Sequence, residues 1–268
     1  MSYAKILVSV DLSAGAPGRI RLAAGLTQRF EAILCGAAAR TVPAPVLVSD
    51  IYDAQRQEER NREAVLAELG RAREVFARNA EGAFDTEWRP AYEGPITHLV
   101  GLARAADLVV VGQDGEDGPA PLGVPTGPVL MEAGRPVLVV PPETDALKAS
   151  RIVVAWKDTV EARRAVSGAL GFIRHADQVF VATVGDAAGA EQAEEVAAYL
   201  ARHGAAVTTH LLHDRRGAGE EILDFARRQE ADLVVMGAYG HSRLREWTFG
   251  GVTRDLIRRS PVCCLMSH

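Results

Sequence analysis

Ala106-Asp-Leu-Val-Val-Val-Gly112 recurs as Ala231-Asp-Leu-Val-Val-Met-Gly237, and this repeat leaves few folds open to the chain. The offset is 125 residues (106 to 231), and the same offset carries Gly115 onto Gly240 and Pro136-Val137 onto Pro261-Val262. Matches at one offset, in one order, mark two copies of a single structural unit. The copies begin alike at a larger offset, with Lys5-Ile-Leu-Val-Ser-Val10 against Arg151-Ile-Val-Val-Ala-Trp156, or 146 residues (5 to 151). The difference, 21 residues (146 − 125), is extra chain inside the first copy. It belongs in Thr41 to Gly82, where Pro43 and Pro45 precede a long charged helix around Gln55–Arg78. A polar connector, Pro141-Pro142-Glu-Thr-Asp-Ala-Leu-Lys-Ala149, sits at the junction. We therefore expect two domains, 1–144 and 150–268.

Within the second copy, apolar runs alternate with amphipathic ones. Strands are expected at Ile152–Trp156, Gln178–Val184, Val207–Leu212, Asp232–Gly237 and Val262–Met266. Helices fall near Val160–Arg174, Ala190–His203, Glu220–Gln229 and Gly251–Arg259, the second stopped by Gly204. The first copy repeats the order, with strands near 5–10, 32–38, 84–91, 107–112 and 137–140. Near-continuous apolar strands separated by helices imply an α/β fold, each copy a doubly wound parallel sheet of five strands. Ligands bind such sheets outside the carboxyl ends of the strands, where the strand order reverses.

Composition narrows the function. A net charge of −5 gives no basis for general affinity to nucleic acid or anionic lipid, and 6% aromatic residues supply few stacking platforms. No apolar run is long enough for a membrane helix, and Met1-Ser-Tyr-Ala-Lys5 lacks the regions of a secretory signal. Three cysteines, Cys35, Cys263 and Cys264, make no disulfide framework, so a reducing cytoplasm is expected.

The chemistry concentrates after the fourth strand of the second copy. There the sequence reads Gly237-Ala-Tyr-Gly240-His-Ser-Arg-Leu-Arg-Glu-Trp-Thr-Phe-Gly250-Gly251-Val-Thr253. Gly237 and Gly240 remove side-chain bulk so that backbone can approach a ligand. Gly250 and Gly251 open a helix whose first N–H groups form an anion site. Thr253 offers a hydroxyl, and Arg243 or Arg254 offers charge.

The spacing Gly237, two residues, Gly240, nine residues, Gly250 resembles the glycine signature of the universal stress protein family. The likeness extends over both copies, through the Ile-Leu-Val openings, Ala-Asp-Leu-Val-Val-Met-Gly, Gly-Gly-Val-Thr-Arg and the closing Ser260-Pro-Val262. It implies strand order 3-2-1-4-5 in an adenine nucleotide alpha hydrolase-like fold. It also implies an adenine nucleotide, ATP or AMP, with or without Mg²⁺. The positions it assigns to that ligand are Ala155, Trp156, Lys157, Val184, Met236, Gly237, Gly240, His241, Arg243, Gly250, Gly251, Val252 and Thr253. The final strands of two such domains pair antiparallel, so Val137–Val140 would meet Val262–Met266 in an internal pseudo-dimer, with a homodimer or a protein partner beyond it. The role implied is a cytoplasmic stress sensor or regulator.

This chain departs from the pattern in three places. Gly251 stands where the family usually has Ser or Thr, and Lys157 stands where its first strand usually ends in Asp. The first copy keeps that residue as Asp11 but reads Gly112-Gln-Asp-Gly115, gains Asp114, Glu116 and Asp117, and has Pro125 in place of the third glycine. Proline removes an N–H and the carboxylates repel phosphate, so the first site is expected to hold no nucleotide.

Other candidates have plainer readings. Adjacent strand residues face opposite ways, so Cys263 and Cys264 with His268 do not form a metal site and belong to the core. His210 and His213 read as polar residues at a strand exit, and Trp156 as either a ligand wall or a cap on the core. An enzyme would need a metal-holding carboxylate and a group that orients the nucleophile; Asp158 and Glu246 are available but nothing fixes them beside a phosphate. No Lys-Ser/Thr pair follows the glycines, so turnover is expected to be weak at most, and a ligand-free interaction module is the remaining class.

Overall fold

The computed structural model describes residues 3–45, 50–115, 118, 120–240 and 251–268. The first half runs β1 (Lys5–Ser9), α1 (Ala16–Phe30), β2 (Ile33–Ala39), α2 (Ile51–Asn79), β3 (Asp85–Ala91), α3 (Pro95–Ala103), β4 (Leu108–Gly112), α4 (Thr126–Glu132) and β5 (Val137–Val140). The second half runs β6 (Arg151–Ala155), α5 (Val160–Ile173), β7 (Gln178–Val184), α6 (Ala187–Arg202), β8 (Val207–Leu212), α7 (Ala218–Arg228), β9 (Leu233–Gly237), α8 (Val252–Arg259) and β10 (Cys263–Ser267). Much of the repeat length difference lies in the second helix, which has 29 residues in α2 and 16 in α6.

Helix starts follow their caps. Asp50, Thr159 and Asp186 each accept a hydrogen bond from the N–H three residues on, opening α2, α5 and α6. In α5, Ala162, Ala165, Val166, Ala169, Leu170 and Ile173 recur at helical spacing and are buried against the sheet.

The strand order is β3-β2-β1-β4-β5-β10-β9-β6-β7-β8. Each half therefore has the order 3-2-1-4-5, with parallel neighbours throughout. The halves do not form two separate sheets. β5 and β10 pair antiparallel, Leu138 opposite Leu265, and make one continuous sheet of ten strands. Every residue of both strands is buried, because each has a neighbour on either side and helices on either face.

Two apolar layers run across this seam. One, under α1, α2, α5 and α6, joins Tyr3, Phe30 and Phe172 in a cluster with centroid spacings of 4.7, 5.5 and 5.3 Å. The other, under α3, α4, α7 and α8, includes Leu99, Leu130, Phe225 and Leu256. The edge strands β3 and β8 are more exposed, and their polar composition suits that place. No helix among the described residues is long and apolar enough to cross a membrane.

Phe172 is fully buried and touches the first half through Tyr3 and Phe30. Phe172→Ala is expected to cost about 3–5 kcal/mol. A urea titration followed by far-UV and near-UV circular dichroism checks this. The two halves should unfold in one transition at a lowered midpoint.

Candidate functional site

In the second half the strand order reverses at β6, which lies between β7 and β9. α5 leaves β6 toward one face and α8 leaves β9 toward the other, so a crevice opens above their carboxyl ends. It encloses a cavity of about 600 Å³. Ala155, Trp156, Lys157, Val184, Met236, Gly237, Gly240, Gly251, Val252 and Thr253 all line it. His241, Arg243 and Gly250, named from the sequence, lie outside the described residues, as does Glu246.

The roles of these residues differ from what their spacing suggested. Gly237 serves helix packing. A Cβ there would lie 2.5 Å from the backbone nitrogen of Ala162, at the first turn of α5. The missing side chain lets α5 sit on the strand end, and does not in itself bring backbone to a ligand. Gly240 faces the same turn, where a Cβ would meet the Glu161 carboxylate at 3.0 Å and Thr159 at 3.4 Å. Thr253 is 4% exposed, and its Oγ1 accepts the Tyr239 N–H at 3.4 Å. That bond ties the loop to α8 and leaves the hydroxyl proton for another acceptor. Tyr239 holds φ at 58°, the left-handed region, between the two glycines.

Gly251 is the N-cap of α8 with φ −66°, and it has no side chain to cap the helix. No acceptor among the described residues takes the N–H of Val252 or Thr253. These orphan donors face the cavity at the positive end of the helix dipole.

Charge in the cavity is mixed. Lys157 is exposed at the rim and is the only Lys or Arg among the described residues that line it. Asp158 is paired with Arg163 at 2.7 Å, while Asp186 and Asp214 accept the N–H groups of Gly189 and Gly217. Glu161 adds a further anion nearby. Its own amide and the Thr159 hydroxyl hold its carboxyl below the usual range, against some desolvation. Trp156 is buried, packs on the α5–α6 side, and lines a second groove there with Val166, Val196 and Tyr199. Its Nε1 has no hydrogen-bond partner among the described residues.

Sequence reasoning missed Thr183, Asp186, Asp214 and Ile222, which also line the cavity. They follow or end β7 and β8, or open the next helix, so the strand-end rule would have found them had it been applied beyond the first and fourth strands.

The first half has the matching crevice, a cavity of about 440 Å³, but its anion positions are already filled. Asp11 is 2.7 Å from Arg19 Nη2, and Arg19 Nε donates to the Ser9 carbonyl. The Arg19 guanidinium lies over Gly112, where a Cβ would be 2.3 Å from Nη1. Asp114 Oδ1 accepts both the N–H and the hydroxyl of Thr126 at the start of α4. Asp114 thus acts as an internal substitute for a bound anion. Glu116 and Asp117 lie outside the described residues.

The remaining candidates take the plain reading. Cys263 and Cys264 face opposite layers, both buried, and burial pushes both thiols up, Cys264 to about 12. His210 packs against Phe180 and Phe225, and burial lowers its pKa. No group of three or more His, Cys, Asp or Glu among the described residues could hold a metal ion.

Known proteins now give this geometry a context. The family model for the universal stress protein family matches residues 148–268. A universal stress protein from Archaeoglobus fulgidus DSM 4304 has the same fold at 17% identity, TM-score 0.68, over 97% of each chain. A functionally unknown protein from Pseudomonas aeruginosa PAO1 is similar at 17% identity, TM-score 0.54, over 98% of this chain and 92% of that one. A universal stress protein from Archaeoglobus fulgidus in complex with dAMP covers 52% of this chain and 98% of its own, at 20% identity and TM-score 0.34. No curated protein matches the sequence.

Gly237→Ala tests the packing role directly, without ligand. The methyl group meets main chain that cannot swing aside, and the expected loss of stability is about 1–3 kcal/mol. Urea unfolding of the bare protein measures it, and an unchanged midpoint would return Gly237 to a role at the ligand alone.

Proposed function

We propose that the second-half crevice binds an adenine nucleotide, ATP or AMP, by its phosphates, in keeping with the match of residues 148–268 to the universal stress protein family model. On this reading the chain divides into domains 1–144 and 150–268, and only the second takes ligand. The observation that carries the reading is the contrast between equivalent helix starts. The first amides of α8 lack an acceptor among the described residues, whereas Asp114 occupies the start of α4. The orphan amides and the Thr253 proton would hold the phosphates. Val184, Ala155 and Met236 supply apolar surface for a base, and Lys157 at the rim would meet an anionic part of the ligand. His241, Arg243 and Gly250 belong to the same proposed site by sequence.

The biological role that fits is a cytoplasmic sensor or regulator in a stress response. Nucleotide occupancy would be reported to a protein partner or a second copy of the chain. The carboxylates lining the crevice are paired with Arg163 or committed to backbone N–H groups. No group of three or more such side chains among the described residues is placed to hold a metal, so on this reading any Mg²⁺ would arrive on the nucleotide.

Isothermal titration with AMP, ADP and ATP tests the reading. One site per chain is expected, and no binding at about millimolar nucleotide would overturn it. Gly251→Ser provides a graded check. The φ of −66° accepts any L-residue, and serine caps a helix while adding one hydroxyl donor for a phosphate. Nucleotide should bind about tenfold more tightly to this variant. Asp11→Asn, which disturbs the first half's ion pair with Arg19 and the hydrogen bonds from Ser13, should leave that affinity unchanged while lowering stability by about 3–5 kcal/mol.

A further inference from the structure

Because β5 and β10 run antiparallel, the strand ends of the second half and the strand starts of the first lie along one side of the sheet. A separate cavity of about 640 Å³ opens there, between the start of β5 and the N-terminal half of α5. It shares no lining residue with the nucleotide crevice. Both halves build it. Arg135 and Pro136 lead into β5, Arg164 projects from α5, and Ser267 and His268 close β10.

The polar groups facing this space are mostly donors. Arg135 gives Nε and Nη2 to the carbonyls of Ala103 and Arg104 at 3.2 and 2.9 Å. Arg164 gives Nη1 to the backbone oxygen of His268 at 3.0 Å. Arg135 has no carboxylate partner among the described residues, Arg164 lies in the field of Glu161, and each keeps further N–H groups in its planar fork. His268 Nδ1 is engaged with the Ala238 carbonyl at 3.2 Å.

Two carboxylates bear on the site, and both are already committed. Asp107 Oδ2 accepts the N–H groups of Ala4 and Lys5 at 2.8 and 3.0 Å. Glu161, one turn earlier on α5, is held by Thr159 and its own amide.

Ser267 supplies the independent sign of a ligand. The residue is 4% exposed and lines the cavity, yet its Oγ has no hydrogen-bond partner among the described residues. A buried hydroxyl without a partner is destabilising unless something meets it. Its position in β10 alternates with Met266, so it faces the α5 layer together with Leu265. That is the layer from which Arg164 comes.

We propose that this cavity between the halves binds the phosphate group of a small molecule, held by Arg135 from the first half and by Arg164 and Ser267 from the second. A tetrahedral group with several acceptor atoms suits two planar donor forks and a hydroxyl that line one cavity from different elements. Pro136, which packs onto Gly168 of α5 beneath the rim, offers apolar wall to the rest of the ligand. Ligand here would fasten one half to the other at the seam.

Inorganic phosphate titrated into the full chain, followed by calorimetry and by thermal unfolding, tests the proposal. Phosphate should raise the melting temperature of the natural sequence. Arg135→Gln and Arg164→Gln should each weaken phosphate binding about tenfold. Ser267→Ala removes only a buried, unpartnered hydroxyl, so without phosphate it should melt at or above the temperature of the natural sequence, and it should bind phosphate more weakly. Absence of phosphate binding to the natural sequence overturns the proposal. So does binding that all three variants retain at full strength, because the ion would then occupy the nucleotide crevice.

Discussion

The antiparallel pairing of β5 with β10 governs the rest of this structure. β5 is wholly apolar, β10 is apolar up to Ser267, and both are wholly buried, so neither could stand at an exposed sheet edge without inviting the pairing that it makes here. Once formed, the seam turns the halves head to tail and makes both apolar layers continuous. It also sets each half's ligand edge beside structure from the other. Arg258 of α8 lines the first-half cavity, and Gln113 Nε2 reaches the Ser260 carbonyl at 3.0 Å. The first-half crevice is thus lined in part by the second half, whereas every described residue that lines the second-half crevice belongs to the second half.

The two crevices show how one topology supports opposite outcomes. Both sit at a strand-order reversal with a helix start above it. In the first, Arg19 occupies the space over Gly112 and neutralises Asp11, while Asp114 takes the amide and hydroxyl of Thr126. In the second, α5 backbone takes the corresponding space over Gly237, and the start of α8 keeps its amides. An anion is favoured at either helix start, and among the described residues only the first half supplies one from its own chain.

Repetition and periodicity made the fold legible. Gln178–Val184 and Val207–Leu212 match the observed strands residue for residue, and the strand order within each half is the one that the family resemblance implied. The position of the crevice followed from the strand-end rule. What could not be read were meetings between distant parts of the chain. Gly237 resembles a ligand-contact glycine until Ala162 is seen beside it, 75 residues away (162 to 237). Asp114 counts as repulsive charge until its hydrogen bonds to Thr126 show it acting as a cap. Nothing in the sequence singles out Arg19, which is 3% exposed.

Tyr239 carries this dependence into the second-half loop. A bulky L-residue in the left-handed region is strained by about 1–2 kcal/mol, so the conformation persists only where surrounding contacts fix it. Two such contacts are visible. Thr253 Oγ1 accepts the Tyr239 N–H from α8, and the Tyr239 hydroxyl rests against α4, where a Cβ on Gly127 would be 3.0 Å away. The second of these belongs to the first half. A half whose own anion positions are filled from within therefore still helps to shape the loop of the other, and the absence of a side chain at Gly127 gives Tyr239 room to reach it.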